Sequence, residues 1–150
     1  MKKSAGLLMY RTQQGSPQVL LAHPGGPFWR GKDEGAWTIP KGEYEETEQP
    51  LSAAQREFTE ETGFEAAPPF VPLGEIVQKS GKRITAWAFA GDCDPGQLRC
   101  NTFELEWPPR SGRRQSYPEI DRAEWFGLDE ARRKIIPAQR ALLDRLEKAL

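Results

Sequence analysis

The stretch "REFTEETG" places Glu57, Glu60 and Glu61 within five residues, with Arg56 in front and Gly63 behind. On a helix these positions are i, i+3 and i+4, so the three carboxylates project to one side. At about 100° per residue, Leu51, Ala54 and Phe58 fall within roughly 60° of one another and predict a buried stripe, beside which the glutamates span about another 100°. Glu61 lies nearest that stripe, at the expected edge of the core. Two like charges about 6 Å apart repel by roughly 3 kcal/mol at an effective dielectric near 20, but by less than about 1 kcal/mol in bulk water. The cluster is therefore cheap if exposed and costly if half buried. Taken alone, "EFTEE" also fits a solvated helix face. A group of hard oxygens at a core edge is relieved by a hard divalent cation, and Mg²⁺ favours a few carboxylates together with waters and substrate phosphates.

The residues upstream extend the pattern: Glu48 stands eight positions before Arg56, and Gly42 six before Glu48, within "GEYEETEQPLSAAQREFTEETGF". This resembles the signature of the Nudix hydrolases, whose specified positions are filled here by Gly42, Glu48, Arg56, Glu57, Phe58, Glu60, Glu61, Gly63 and Phe64. From average residue usage, the fixed residues match by accident on the order of once in 10⁸ starting points. The preceding "WTIPKG" resembles the strand and turn that lead into the box in many members. The resemblance implies a Nudix-type α/β/α sandwich with a mixed sheet, spanning residues 1–150 as one domain. It implies a pyrophosphohydrolase in which Glu57, Glu60 and Glu61 bind Mg²⁺, or Mn²⁺ in its place, with a backbone carbonyl of Lys41 or Gly42. Arg56 would pair with Glu48 and fix the loop against the helix. Divalent ions would neutralise pyrophosphate oxygens, acidify a bound water and orient it for attack on phosphorus.

A base must still accept the proton. Glu119, in "SYPEIDRAEWF", resembles the loop glutamate that serves as catalytic or metal-binding residue in several members, with Glu104 and Glu106 of "TFELEW" as competitors. Lys41 directly follows Pro40 and is a candidate phosphate contact. Arg110, with Arg113 and Arg114, makes a local basic patch suited to steering a polyanion. Trp29, Phe28, Tyr44 and Tyr117 stand in or beside the loops expected around the site and could stack on a base. His23, the single histidine, reads as structural.

Several elements must position these groups. Ser4 to Tyr10 and Gln18 to Ala22 read as strands joined through "RTQQGSPQ". "HPGGPFWRGKDEG" reads as a long loop and "WTIP" as a short strand ended by Pro40. A helix is predicted from about Pro50 to Thr62, capped by Thr47 and ended at Gly63. Val71 to Val77, Ile84 to Ala90 and Thr102 to Trp107 are further strands, and "PPRSGRRQSYPEIDRAE" a second long loop. "LDEARRKI" and "PAQRALLDRLEKAL" read as helices, the last with Leu142, Leu143, Leu146 and Leu150 on one packing stripe.

Composition narrows the partners. The net charge of −1 over 150 residues provides no basic field for long nucleic acid or an anionic membrane. Cys93 and Cys100, with no histidine near them, suit reduced structural thiols rather than a disulfide scaffold or zinc site. The opening "MKKSAGLLMYRT" has too short an apolar run for a signal peptide or a span, which predicts a soluble cytoplasmic protein. The expected partner is a small nucleotide; the family resemblance also allows a homodimer. "WTIPKG" resembles most the diadenosine polyphosphate hydrolase branch, with nucleoside triphosphates, ADP-ribose and RNA 5′ ends as the other substrate classes. A nucleotide-binding sensor without turnover is the reading of a different class, against which the intact acidic set argues.

Overall fold

The computed structural model describes residues 3–150, so Met1 and Lys2 of the opening stretch lie outside it. Eight strands and three α-helices follow in the order β1 (Lys3–Gln13), β2 (Ser16–Pro24), β3 (Lys41–Glu43), α1 (Pro50–Thr62), β4 (Val71–Val77), β5 (Arg83–Ala90), β6 (Thr102–Glu106), β7 (Arg114–Pro118), β8 (Ile120–Gly127), α2 (Leu128–Lys134) and α3 (Arg140–Ala149). The main sheet runs β4-β5-β1-β2-β8, with β3 beside the first half of β1. Only β1 and β5 pair in parallel, so the sheet is mixed; β6 and β7 form a separate hairpin.

Period-two alternation along β1 sends side chains to two cores. Ala5, Leu7 and Met9 point to α1, where Ala53, Ala54, Phe58 and Phe89 are buried with them. Leu8 points the other way, into a larger core shared with Val19, Leu21, Ile84, Leu142 and Leu146. The result is an α/β/α sandwich, as the sequence led us to expect. Phe58 anchors α1 edge-on against Phe89 at 5.2 Å.

Several elements differ from their sequence-based expectation. The first connection shrinks to a tight turn at Gln14 and Gly15, and the rest of "RTQQGSPQ" is strand. "WTIP" forms no ladder: Trp37 and Thr38 make isolated bridges to Ile135 and Ala22, while the Ile39 N–H donates to the buried Gln139 side chain. The short strand lies just beyond it, as β3. The helix begins after Gln49 rather than being capped by Thr47; Pro50 at its start lacks the N–H that a cap would satisfy. Gly63 adopts φ 78° and ends the helix by donating its N–H to the Thr59 carbonyl. The second long loop contains β7 and most of β8, and Leu150 is exposed rather than part of the leucine stripe. Among the described residues no helix is long and apolar enough to cross a membrane.

Because Phe58 is fully buried and supplies the largest side chain that α1 inserts into its core, Phe58→Ala should cost about 3–5 kcal/mol. A urea titration checks this; a midpoint equal to that of the parent would contradict the packing described.

Candidate active site

Arg56 organises the acidic helix. Its Nε and Nη2 donate to the two carboxylate oxygens of Glu48 at 2.8 and 2.9 Å, a bidentate fork. Its Nη1 donates to Glu57 Oε1 at 2.8 Å and to Glu60 Oε2 at 3.2 Å. The guanidinium holds the Glu48 carboxyl below its ordinary pKa, and Glu48 first, then Glu57, raises that of Arg56. Burial pushes Glu57 upward against the pull of Arg56.

Gly42, on β3, is where backbone meets helix. A Cβ there would fall 1.9 Å from Glu57 Oε2, so only glycine lets this carboxylate lie against the strand. Glu61 takes the backbone N–H of Lys41 at a long 3.4 Å. Burial pushes its pKa up to about 8, more than the nearby Lys41 offsets. The Lys41 ammonium is itself pushed down, first by burial and then by Lys82.

Glu119 reaches the same place by a backbone relay. Asn101 N–H donates to the Glu60 carbonyl at 3.2 Å, Glu119 N–H to the Asn101 carbonyl at 2.9 Å, and Gly25 N–H to the Glu119 carbonyl at 3.0 Å. The end of α1, the segment before the hairpin and the β7–β8 junction are thereby tied together. A cleft of about 440 Å³ results, bordered by Glu57, Glu60, Glu61, Glu119, Lys41 and Gly42. It also includes Ser4, Lys82 and Asn101, none of which local spacing singled out.

The other expected contacts stand apart from that cleft. Tyr44 borders a neighbouring hollow with Glu48 and Arg56. Tyr117 lies against Phe103 on the hairpin, with ring centroids 6.0 Å apart. Trp29 is covered by Lys32, and Phe28 packs edge-on against Trp107. Arg110 sits in the hairpin turn with φ 61°; four strand steps separate Arg114 from Pro118, placing that turn roughly 13 Å or more from the cleft. Glu104 pairs with Arg114, and Glu106 accepts the Arg110 N–H, both on the exposed face of the hairpin. His23 is buried between Asp121 and the Lys32 carbonyl. Cys93 and Cys100 are free thiols.

A sequence profile of the NUDIX domain matches residues 1–146. The chain belongs to the Nudix family. This Nudix chain is 30% identical over 119 residues to an RNA pyrophosphohydrolase of Rhizobium meliloti strain 1021, a match covering 69% of the chain and 66% of that relative, just under two thirds of its length. Its fold is similar to that of a C. elegans Ap4A hydrolase binary complex, with TM-score 0.68, 21% identity and coverage of 99% and 97% of the two chains. It is also similar to the NUDIX domain of Shewanella oneidensis NrtR complexed with ADP ribose, with TM-score 0.67, 13% identity and coverage of 98% and 86%.

Whether a divalent cation fits the Nudix cleft can be read from its donors. Among the described residues no three acidic, histidine or cysteine side chains gather closely enough to hold a metal as they stand. Arg56 engages one oxygen each of Glu57 and Glu60, leaving Glu57 Oε2 beside Gly42 and the half-buried Glu61 carboxyl available. These are hard oxygens with an unneutralised desolvation cost, the chemistry that Mg²⁺ or Mn²⁺ matches.

Because the folded-state pKa of Glu61 lies near 8 against an ordinary 4.5, the folded protein binds more protons than the unfolded chain between those values. Its contribution to stability is therefore lost as pH rises through that window. In EDTA, the Tm of the parent should fall between pH 5 and 8.5 by roughly 5 °C more than that of Glu61→Gln. Scanning calorimetry checks this, and parallel slopes would contradict the burial assigned to Glu61.

Proposed function

We propose that this protein is a divalent-metal-dependent Nudix pyrophosphohydrolase whose preferred substrate is a dinucleoside polyphosphate such as diadenosine tetraphosphate, hydrolysed to a mononucleotide and a nucleoside triphosphate. The observation that carries the enzymatic reading is the single cleft in which the α1 carboxylates, Glu119 and Lys41 meet. The similarity in fold to an Ap4A hydrolase supports the substrate, together with Lys41 directly after Pro40 in "WTIPKG".

In this reading Glu57, Glu60 and Glu61, with the Gly42 carbonyl, hold the cation, Mg²⁺ by preference. The cation supplies charge neutralisation to the phosphoanhydride and acidifies water. Glu119 accepts the proton of the attacking water, and Lys41 holds a phosphate oxygen. Arg56 and Glu48 are positioning residues, since their fork sets the direction of Glu57 and Glu60. Trp29, Tyr44, Tyr117 and Arg110 would serve the nucleoside or distal phosphates only from outside the cleft wall. A small nucleotide acted on in the cytoplasm fits the near-neutral chain.

A second substrate, a 5′-triphosphorylated RNA end, is supported by the likeness to an RNA pyrophosphohydrolase, while the net charge of −1 counts against it. The test is product identification by mass spectrometry after incubation with diadenosine tetraphosphate, nucleoside triphosphates, ADP-ribose and triphosphorylated RNA, each with Mg²⁺. AMP and ATP should form fastest, from the dinucleotide, and Glu61→Gln should lower turnover at least about 100-fold while remaining folded. Faster cleavage of another compound overturns the substrate, and no turnover on any compound favours the sensor.

A further inference from the structure

Gln139 lies in the turn that leads into α3, and its side chain is 0% exposed. Both N–H groups and the carbonyl oxygen of its amide are engaged: Oε1 accepts the Ile39 N–H at 3.0 Å, and Nε2 donates to Thr38 Oγ1 at 2.8 Å and to Gln78 Oε1 at 3.3 Å. The Thr38 hydroxyl gives its own proton to the Ile39 carbonyl at 2.9 Å, so toward Gln139 it can only accept. The amide therefore fits one way round, and it fixes Thr38 and Ile39 together.

Those two residues end a strap that runs into the candidate active site. Upstream, backbone bonds tie the strap to the segment after α2: Gly35 N–H to the Arg133 carbonyl at 3.0 Å, Trp37 N–H to that of Lys134 at 2.9 Å, and Ile136 N–H to that of Trp37 at 2.7 Å. At Ile39 the side chain of Gln139 takes over, and Pro40 has no N–H to offer. Lys41 and Gly42 follow directly, pairing with Gly6 and Ala5 of β1. The strap has no slack there. A Cβ on Gly6 would fall 2.7 Å from the Pro40 carbonyl oxygen, 2.8 Å from Ile39 Cδ1 and 2.9 Å from Lys41 Cβ, so three consecutive residues lie against bare glycine backbone. In packing this close, a displacement of Ile39 passes on to Lys41 instead of being absorbed between them. The bond to Gln78 extends the same hold to the turn between β4 and β5, where Gln78 N–H donates to the carbonyl of Lys82, another residue of the cleft border.

We infer that Gln139 is a positioning residue for the candidate active site: from the core on the α3 side it sets where Lys41 and Gly42 stand relative to Glu61 and Glu57. It does not itself border the cleft. It acts through two backbone contacts, the Lys41 N–H on Glu61 Oε2 and the bare Gly42 against Glu57 Oε2. Its consequence for metal binding rests on the proposed reading that the glutamates and the Gly42 carbonyl hold a divalent cation.

The test compares two variants of the full chain. Gln139→Met keeps the length of the side chain and removes its hydrogen bonds; Leu146→Ala, farther along α3, empties part of the same core and leaves Gln139 in place. Both should lower Tm. Mn²⁺ affinity, read by electron paramagnetic resonance, should fall roughly tenfold in Gln139→Met and equal that of the parent in Leu146→Ala. In EDTA, the Lys41 and Gly42 amide resonances should move in Gln139→Met and coincide with the parent's in Leu146→Ala. Thr38→Val, which keeps the shape and withdraws the hydroxyl, carries the same comparison if Gln139→Met does not fold, with a smaller loss in the same direction. Parent-like Mn²⁺ affinity in the folded Gln139→Met protein, or an equal loss in Leu146→Ala, would overturn the positioning role. A parent that binds no Mn²⁺ removes the cation reading instead, and the metal-free resonances then decide the role of Gln139 by themselves.

Discussion

One guanidinium sets the geometry on which the site depends. Arg56 serves three carboxylates at once: Glu48 through a bidentate fork, and Glu57 and Glu60 through a shared nitrogen. Without this cation, Glu57 and Glu60 would repel each other one helical turn apart and relax toward solvent. With it, Glu57 keeps one oxygen on Arg56 and turns the other toward Gly42, where no Cβ obstructs it. The fork to Glu48 also ties the loop before α1 to the helix it precedes. Glu61 has no share in the guanidinium, and its half-burial makes the ionised carboxylate costly, a cost that a bound divalent ion would offset.

The sandwich converts this local arrangement into a cleft. α1 is held against β1 by a small core in which Phe58 is the main anchor, and β3 lies beside the same strand, so carboxylates and glycine backbone approach from two elements with one common support. From the far end of α1, hydrogen bonds pass through Asn101 to Glu119 and on to Gly25. Glu119 thereby reaches the cleft from a junction more than fifty residues downstream, although its side chain remains exposed. Lys41 and Lys82 border the same cleft and supply the contrasting charge.

What could be read from the residues follows the range of the interactions involved. The acidic helix was legible because its chemistry lies within one turn: the spacing of Glu57, Glu60 and Glu61 against Leu51, Ala54 and Phe58 encodes both the cluster and the burial of Glu61. The position of Gly63 after the last turn is equally local. By contrast, Ser4 and Lys82 border the cleft because β1 pairs with β3 and with the strand that the Lys82 turn leads into, which no short-range pattern records. β7 has no strand signal in the sequence because "RQSYP" is exposed at four of its five positions and shows no apolar alternation. Arg110 and Tyr117 looked close to Glu119 in sequence, but a hairpin carries the first away to its turn and lays the second against Phe103.

In the proposed function the α1 carboxylates hold a divalent cation. Electron paramagnetic resonance of Mn²⁺ titrated into the purified chain measures this directly, comparing the parent with Glu57→Gln, which keeps the size of the side chain and removes its charge. Saturable Mn²⁺ binding by the parent, weakened at least about tenfold in the variant, is the predicted result. Equal binding by the two proteins would contradict the account.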